Sequence, residues 1–318
     1  MTSGPVIIGS ERSEAGLALG MELLRQGSSA LDAVEVALRA CEDNLDDHYI
    51  GTGGLPNARG EVELDASIMV GSSRAFGAVG AVRNFPNPIS IARAVLEKLP
   101  QHSLLVGEGA ELFALEQGFV RAELLTDEAK RIFRKALEAS GEAVEGENTE
   151  AAPGDDRYRA AATELVRRFK PFDGPWGTVN VIALDESGEM VVGVSTSGYP
   201  WKYPGRVGDS ALPGSGNYCD LRYGGAACTG RGELSMRIVG AKMVVDALAR
   251  GEDPVGACGA MLREAAQLPD IYRSELRTLC LTPDGRHAGA ASQSGSTYNV
   301  MTTSSRAPEI LPRARFGA

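Results

Sequence analysis

The chain has 318 residues, 43% hydrophobic and 23% charged, enough apolar material for one large α/β domain or two small ones. A net charge of −10, with no run of Lys or Arg, argues against nucleic acid as a partner. No apolar stretch approaches the ~18 residues of a membrane span, and the first 30 residues lack a cationic start followed by a long apolar run, so we expect a cytoplasmic protein with no membrane partner.

In chain order, Val6, Ile7 and Ile8 read as a first strand. Residues 14–26 read as a helix ended by Gly27. Ser29 caps a second helix, with Leu31, Val34, Leu38 and Cys41 on one face at helical spacing. The acidic groups Glu42, Asp43, Asp46 and Asp47 read as a solvated helix end rather than a cation site. A Gly-rich loop spans residues 51–57 and matches neither GxGxxG nor a Walker A pattern, which makes a nucleotide site a poor reading. Residues 64–71 and 78–82 read as strands. Asn87-Pro88 opens a helix that ends before Pro100. A short strand at 102–106 and a helix at 108–117 follow.

Residues 138–157 are acidic and small, with almost no large apolar side chain; we expect a mobile, solvated linker. Beyond it, residues 178–185 form a strand, Ser187-Gly188 a turn, and residues 190–195 the returning strand of a hairpin. The first of these strands is apolar on both faces: Val179, Val181 and Ala183 on one, Ile182 and Leu184 on the other. Such a strand must be covered on both sides. Helices are expected at 232–250 and 254–267, and strands at 277–281, 287–291 and 298–302. Helices flanking a doubly covered sheet suit a layered α/β sandwich, although a doubly wound sheet predicts much the same alternation.

Titratable residues restrict the chemistry. Five cysteines, widely spaced and without CxxC, read as small buried hydrophobes, not as a disulfide or zinc framework. Three scattered histidines and no HExxH give no metal site. We therefore expect no cofactor and a catalytic base other than histidine.

Three clusters in the second half stand out. The first is Gly177-Thr178-Val179-Asn180. The second is Ser195-Thr196-Ser197-Gly198 with Gly205-Arg206-Val207-Gly208-Asp209-Ser210. The third is Cys228-Thr229-Gly230-Arg231-Gly232-Glu233. Their order and spacing resemble the glycosylasparaginase and plant-type asparaginase/isoaspartyl peptidase family. The first half resembles the glycosylasparaginase branch through Thr52-Gly53-Gly54-Leu55-Pro56-Asn57 and Leu64-Asp65-Ala66-Ser67.

The resemblance implies a four-layer αββα sandwich of the N-terminal-nucleophile type over residues 1–318. It implies self-cleavage between Gly177 and Thr178 into chains 1–177 and 178–318, and a homodimer of the cleaved pairs. The implied substrate is a small β-aspartyl amide: glycosyl-asparagine first, then asparagine or an isoaspartyl peptide. A non-catalytic, uncleaved binding protein is the reading from a different class.

Thr178 is the implied nucleophile, and its freed α-amine, with a reference pKa of ~7.7–8.0, is the base. Gly177 has no side chain to obstruct attack on its carbonyl. Thr196 is implied to hydrogen-bond the nucleophile, and Thr229 with Gly230 to form an oxyanion hole beside a helix N-terminus. Arg206 and Asp209 suit the carboxylate and ammonium of an amino-acid head group, and Asn57 is implied to line the pocket. Two departures stand out. Ser10-Glu11-Arg12-Ser13 occupies the place where the sugar-binding branch carries a Trp-Pro-Phe-like segment, and Trp176-Gly177 precedes the nucleophile.

Overall fold

The structure is a computed structural model that describes residues 4–140, 156–169, 177–272 and 274–317. In chain order, its first part holds β1 (Val6–Ser10), α1 (Glu14–Arg25), α2 (Ala30–Glu42), β2 (Leu64–Val70), β3 (Phe76–Val82), α3 (Pro88–Lys98), β4 (Leu104–Val106), α4 (Gly107–Glu116), α5 (Asp127–Ala139) and α6 (Asp156–Arg168). Its second part holds β5 (Val179–Leu184), β6 (Met190–Thr196), β7 (Asn217–Asp220), β8 (Gly224–Gly230), α7 (Gly232–Ile238), α8 (Gly240–Ala249), α9 (Pro254–Ala266), β9 (Leu276–Leu281), β10 (His287–Ala291), β11 (Thr297–Thr302), β12 (Glu309–Pro312) and β13 (Ala314–Arg315). Of the stretch expected as a linker, residues 141–155 lie outside the described residues, and its ends belong to α5 and α6. Trp176 also lies outside them.

Two sheets form the middle of the molecule. One has the order β12-β11-β1-β5-β6-β2-β3-β4, the other β13-β10-β9-β8-β7. Alternation along β5 explains the layering. Val179, Val181 and Ala183 pack with Leu17, Met21, Val34 and Leu38 of α1 and α2. Ile182 and Leu184, on the opposite face, pack with Ala227, Leu279 and Leu281 of the second sheet. On that sheet's far side, Ala226, Cys228 and Cys280 meet Val244, Cys258 and Met261 of α8 and α9. The result is the expected αββα sandwich, with both faces of β5 covered. Each fully buried Val, Ile or Leu contributes about 1.5–3 kcal/mol to that packing.

Local signals fix several helix starts. The Ser29 hydroxyl accepts from Asp32 N–H at the start of α2, and the Asp253 carboxylate accepts from Val255 and Gly256 N–H at the start of α9. Pro88 and Pro254 open their helices. All five cysteines are buried and unbridged.

Three expectations need correction. The helix expected at 232–250 is two helices, broken at Val239, which sits in the left-handed region at φ 55°. The acidic end of α2 is solvated only at Asp43 and Asp46. Glu42 is fully buried, accepting from Ser195 Oγ at 2.6 Å and Ile89 N–H at 3.1 Å. Asp47 is also buried and pairs with Arg12 at 2.8 Å. Finally, α5 was not expected. Its Ile132, Phe133 and Ala136 pack on a cluster with Trp201, and the Phe133 and Trp201 rings lie 5.3 Å apart.

Candidate active site

The site begins with strand register. Val179 pairs with Ser195 in the β5–β6 ladder, so Thr178 and Thr196 are the next pair along. By alternation both point between the sheets, as Ile182 and Val194 do. From the facing sheet, Thr229 of β8 shares the face of Ala227. Three threonines from two sheets therefore converge at one end of the sandwich.

Thr178 Oγ1 donates to Thr196 Oγ1 at 3.2 Å. Thr196 Oγ1 accepts from Gly198 N–H at 2.9 Å, and its own long contacts run to the carbonyls of Gly177 and Tyr49, each at 3.5 Å. The Thr178 backbone is held on two sides. Its N–H donates to Thr229 Oγ1 at 3.2 Å, and its carbonyl accepts from Thr229 Oγ1 at 3.3 Å and Ser10 Oγ at 3.2 Å. Ser10 Oγ in turn accepts from Asn180 N–H at 2.9 Å, which ties β1 to the start of β5.

Arg206 and Asp209 flank this group. Arg206 places Nε and Nη2 on Glu233 Oε1 at 3.1 and 2.8 Å, while Arg231 Nη1 takes Glu233 Oε2 at 2.7 Å. Burial works against the Glu233 charge, but Arg206 and Arg231 outweigh it and hold the carboxyl below its ordinary value. Asp209 is in the opposite state. Burial pushes its carboxyl up to about 7, against the pull of Arg206. Its Oδ2 is buried with no hydrogen-bond partner among the described residues. An unsatisfied buried acceptor is costly, and a cationic ligand would satisfy it.

Two glycines make the geometry possible. Gly230 has φ +106°, and a Cβ there would sit 2.2 Å from Glu275 O. A Cβ at Gly232 would come 2.5 Å from Asp209 Oδ1. The first turn of α7 can therefore approach Asp209 only without a side chain.

Gly177, Thr178, Thr196, Arg206, Asp209 and Gly230 line one narrow cleft of about 20 Å³, room for about one water. Asn57 is not among the residues lining it. The Asn57 Oδ1 accepts from Arg59 and Glu61 N–H at 2.8 and 3.2 Å, so it shapes its own loop instead. Thr229 is the last residue but one of β8 and caps no helix; the N-cap of α7 is Arg231. Sequence reasoning passed over Glu233 and Ser10 as site residues. Glu233 was visible in the Thr-Gly-x-Gly-Glu run, whereas Ser10 carried no motif signal. No cluster of three or more His, Cys, Asp or Glu placed to hold a metal occurs among the described residues. None of their helices is long and apolar enough to cross a membrane.

The family described as Asparaginase matches residues 10–310. The chain is 34% identical over 284 residues to the N(4)-(Beta-N-acetylglucosaminyl)-L-asparaginase of Elizabethkingia miricola, covering 88% of this chain and 76% of that protein. It is 35% identical over 246 residues to the Isoaspartyl peptidase/L-asparaginase of Xenopus laevis, covering 76% and 71%. It is 37% identical over 249 residues to the Plant-type L-asparaginase of Pyrococcus horikoshii, covering 78% and 76%. With nearly its whole length matched and relatives above 30% identity under all three names, the chain belongs to the asparaginase family.

Proposed function

We propose that the chain is a self-processing amidohydrolase that cuts β-aspartyl amides with Thr178 as nucleophile. The amide-hydrolysing relatives support an enzyme acting on amide C–N bonds of a small molecule. The observation that carries the finer reading is the convergence of Thr178, Thr196 and Thr229 beside the unpartnered Asp209 Oδ2.

In the processing step, Thr178 Oγ1 attacks the Gly177 carbonyl carbon. The Gly177 C–Thr178 N bond breaks, the nitrogen takes the hydroxyl proton, and water hydrolyses the resulting ester. Thr178 then carries a free amine with a reference pKa of ~7.7–8.0, so part of it is unprotonated near neutrality. In turnover that amine takes the Thr178 hydroxyl proton as Oγ1 attacks the substrate's β-carbonyl. Arg206 holds the substrate carboxylate and Asp209 its ammonium. Thr229 Oγ1 and the Gly230 N–H face the developing oxyanion, and one such donor is worth ~10²–10³ in rate. The leaving amine takes a proton, and water releases aspartate from Thr178. We take glycosyl-asparagine as the first substrate to try, with asparagine and isoaspartyl peptides beside it. We also propose that the cleaved pairs assemble as a homodimer.

Intact mass after incubation at neutral pH tests the reading. Two fragments, 1–177 and 178–318, are expected. Thr178→Ala should give a single, folded, inactive chain. A Thr178→Ala protein that still splits or still releases aspartate rules out this nucleophile. A wild-type chain that folds, stays whole and hydrolyses nothing points to the non-catalytic alternative.

A further inference from the structure

A second cavity, of about 320 Å³, also reaches Gly177 and Thr178. Its other walls include Glu11, Arg12, Glu275, Arg277, Ser294 and Ser296. It shares with the narrow cleft only Gly177 and Thr178, so the two cavities meet at the reacting residue. Arg206 and Asp209, suited to the aspartyl head group, line the narrow cleft, which must widen from the volume of about one water to admit it. The larger cavity is the remaining space for whatever departs. Ammonia has about the bulk of a water molecule, ~30 Å³ in the liquid, and would leave most of it unfilled.

Among the described residues the lining is ionic and offers no aromatic ring on which the apolar face of a sugar could rest. Glu11 is balanced chiefly from beneath. Buried Arg313 reaches it with Nη2 at 3.1 Å and Nε at 3.3 Å, and Thr297 N–H donates to it at 2.9 Å. Arg277 lies between two carboxylates, 3.3 Å from Glu11 and 3.5 Å from Glu275. In the β8–β9 ladder Arg277 stands directly opposite Thr229, so the two side chains share a face. Thr229 is in hydrogen-bond contact with Thr178, which puts the Arg277 guanidinium on the wall beside the nucleophile. Its side chain is only 10% exposed, so its field is weakly screened by water.

We infer that this cavity is the leaving-group subsite, that it takes a departing amine bearing a carboxylate, and that Arg277 reads that carboxylate. The inference rests on the proposed β-aspartyl amidohydrolase reading. A planar guanidinium pairs a carboxylate through two N–H donors, which a neutral amide cannot match. Arg12 lies on the same wall, with its charge offset by Asp47 at 2.8 Å.

The test uses the processed full-length protein with four substrates: β-aspartyl-leucine, β-aspartyl-leucinamide, asparagine and glycosyl-asparagine. The free acid should exceed its amide in kcat/KM by ~10–100-fold, the range of hydrogen bonds to a charged group. Arg277→Gln should bring that ratio toward one, and Arg277→Lys should restore part of it. The ratio is internal to each preparation, so incomplete processing of a variant does not distort it. If Arg277→Gln does not fold, the wild-type acid-to-amide ratio still decides. Equal turnover of acid and amide overturns the inference while leaving the β-aspartyl reading intact, as does glycosyl-asparagine outpacing β-aspartyl-leucine tenfold. No turnover of any of the four overturns both.

Discussion

Two protons near neutrality govern the chemistry proposed for Thr178. Burial pushes the Asp209 carboxyl up to about 7, and the freed Thr178 amine has a reference value of ~7.7–8.0. Only the ionised Asp209 attracts a substrate ammonium, and only the neutral amine accepts the hydroxyl proton. Both conditions fail as pH falls. The logarithm of kcat/KM should therefore drop on the acid side with a slope approaching two, where one group alone gives a slope of one. Asp209→Asn should lower kcat/KM and reduce that slope to one. A wild-type slope of one would show that Asp209 is ionised throughout the range. At this scale the sequence was legible where a residue's neighbours in the chain are also its neighbours in space, as in the run from Arg206 to Asp209. It misled at Asn57, whose side chain turns back onto the N–H groups of Arg59 and Glu61. Nothing in the chain order could reveal Ser10, because its partner Thr178 is 168 residues away.

Glu42 joins three elements: it ends α2, accepts from the first turn of α3 at Ile89, and accepts from Ser195 of β6, the residue before Thr196. Burial pushes its carboxyl up to about 8, against hydrogen bonds from Ser195, Ile89 and Asn87. The folded state therefore retains a proton that the unfolded chain gives up from its ordinary value of 4.5 upward. Stability contributed here is full below about 4.5, falls as pH rises through the window, and is lost above about 8. The slope cannot exceed about 1.4 kcal/mol per pH unit. Glu42→Gln, which has no proton to lose, should flatten this decline. Melting curves from pH 5 to 9 should show the variant gaining on wild type toward pH 9; parallel curves would mean that Glu42 is not protonated in the fold. Other elements escaped sequence reading for definable reasons. β8 is Gly-Gly-Ala-Ala-Cys-Thr-Gly and lacks the β-branched signature of a strand. Its small residues serve packing instead, since a Cβ at Gly225 would lie 2.6 Å from Val192 Cγ2 of the facing sheet. The break at Val239 has no proline or glycine at the bend itself, and Gly240 follows it.

At the scale of the whole molecule, the segments on either side of Gly177 are interleaved. In the larger sheet β1 lies between β11 and β5, and β2 pairs with β6, so strands from before and after the proposed cut are hydrogen-bonded to one another at three places. Cutting one peptide bond leaves those ladders and the cores beneath them in place. The two fragments should elute together in gel filtration and separate only in denaturant. Separation in plain buffer would contradict this arrangement. The sandwich itself was only partly legible. The two apolar faces of β5 required cover on both sides, but alternating helices and strands did not distinguish two stacked sheets from one. The family resemblance supplied that choice.

The placement of β1 also bears on the order of events during synthesis. Its two neighbours are residues 179–184 and 297–302, so the first strand made gains one native ladder only past the middle of the chain and the other only when almost the entire chain exists. Pairings of such long sequence separation close slowly. The threonine cluster depends on β1 through Ser10, which holds both Thr178 and Asn180. Bond scission at Gly177 should thus be absent from nascent chains arrested before residue 297, and should begin only once β11 is available to lock the strand beside it.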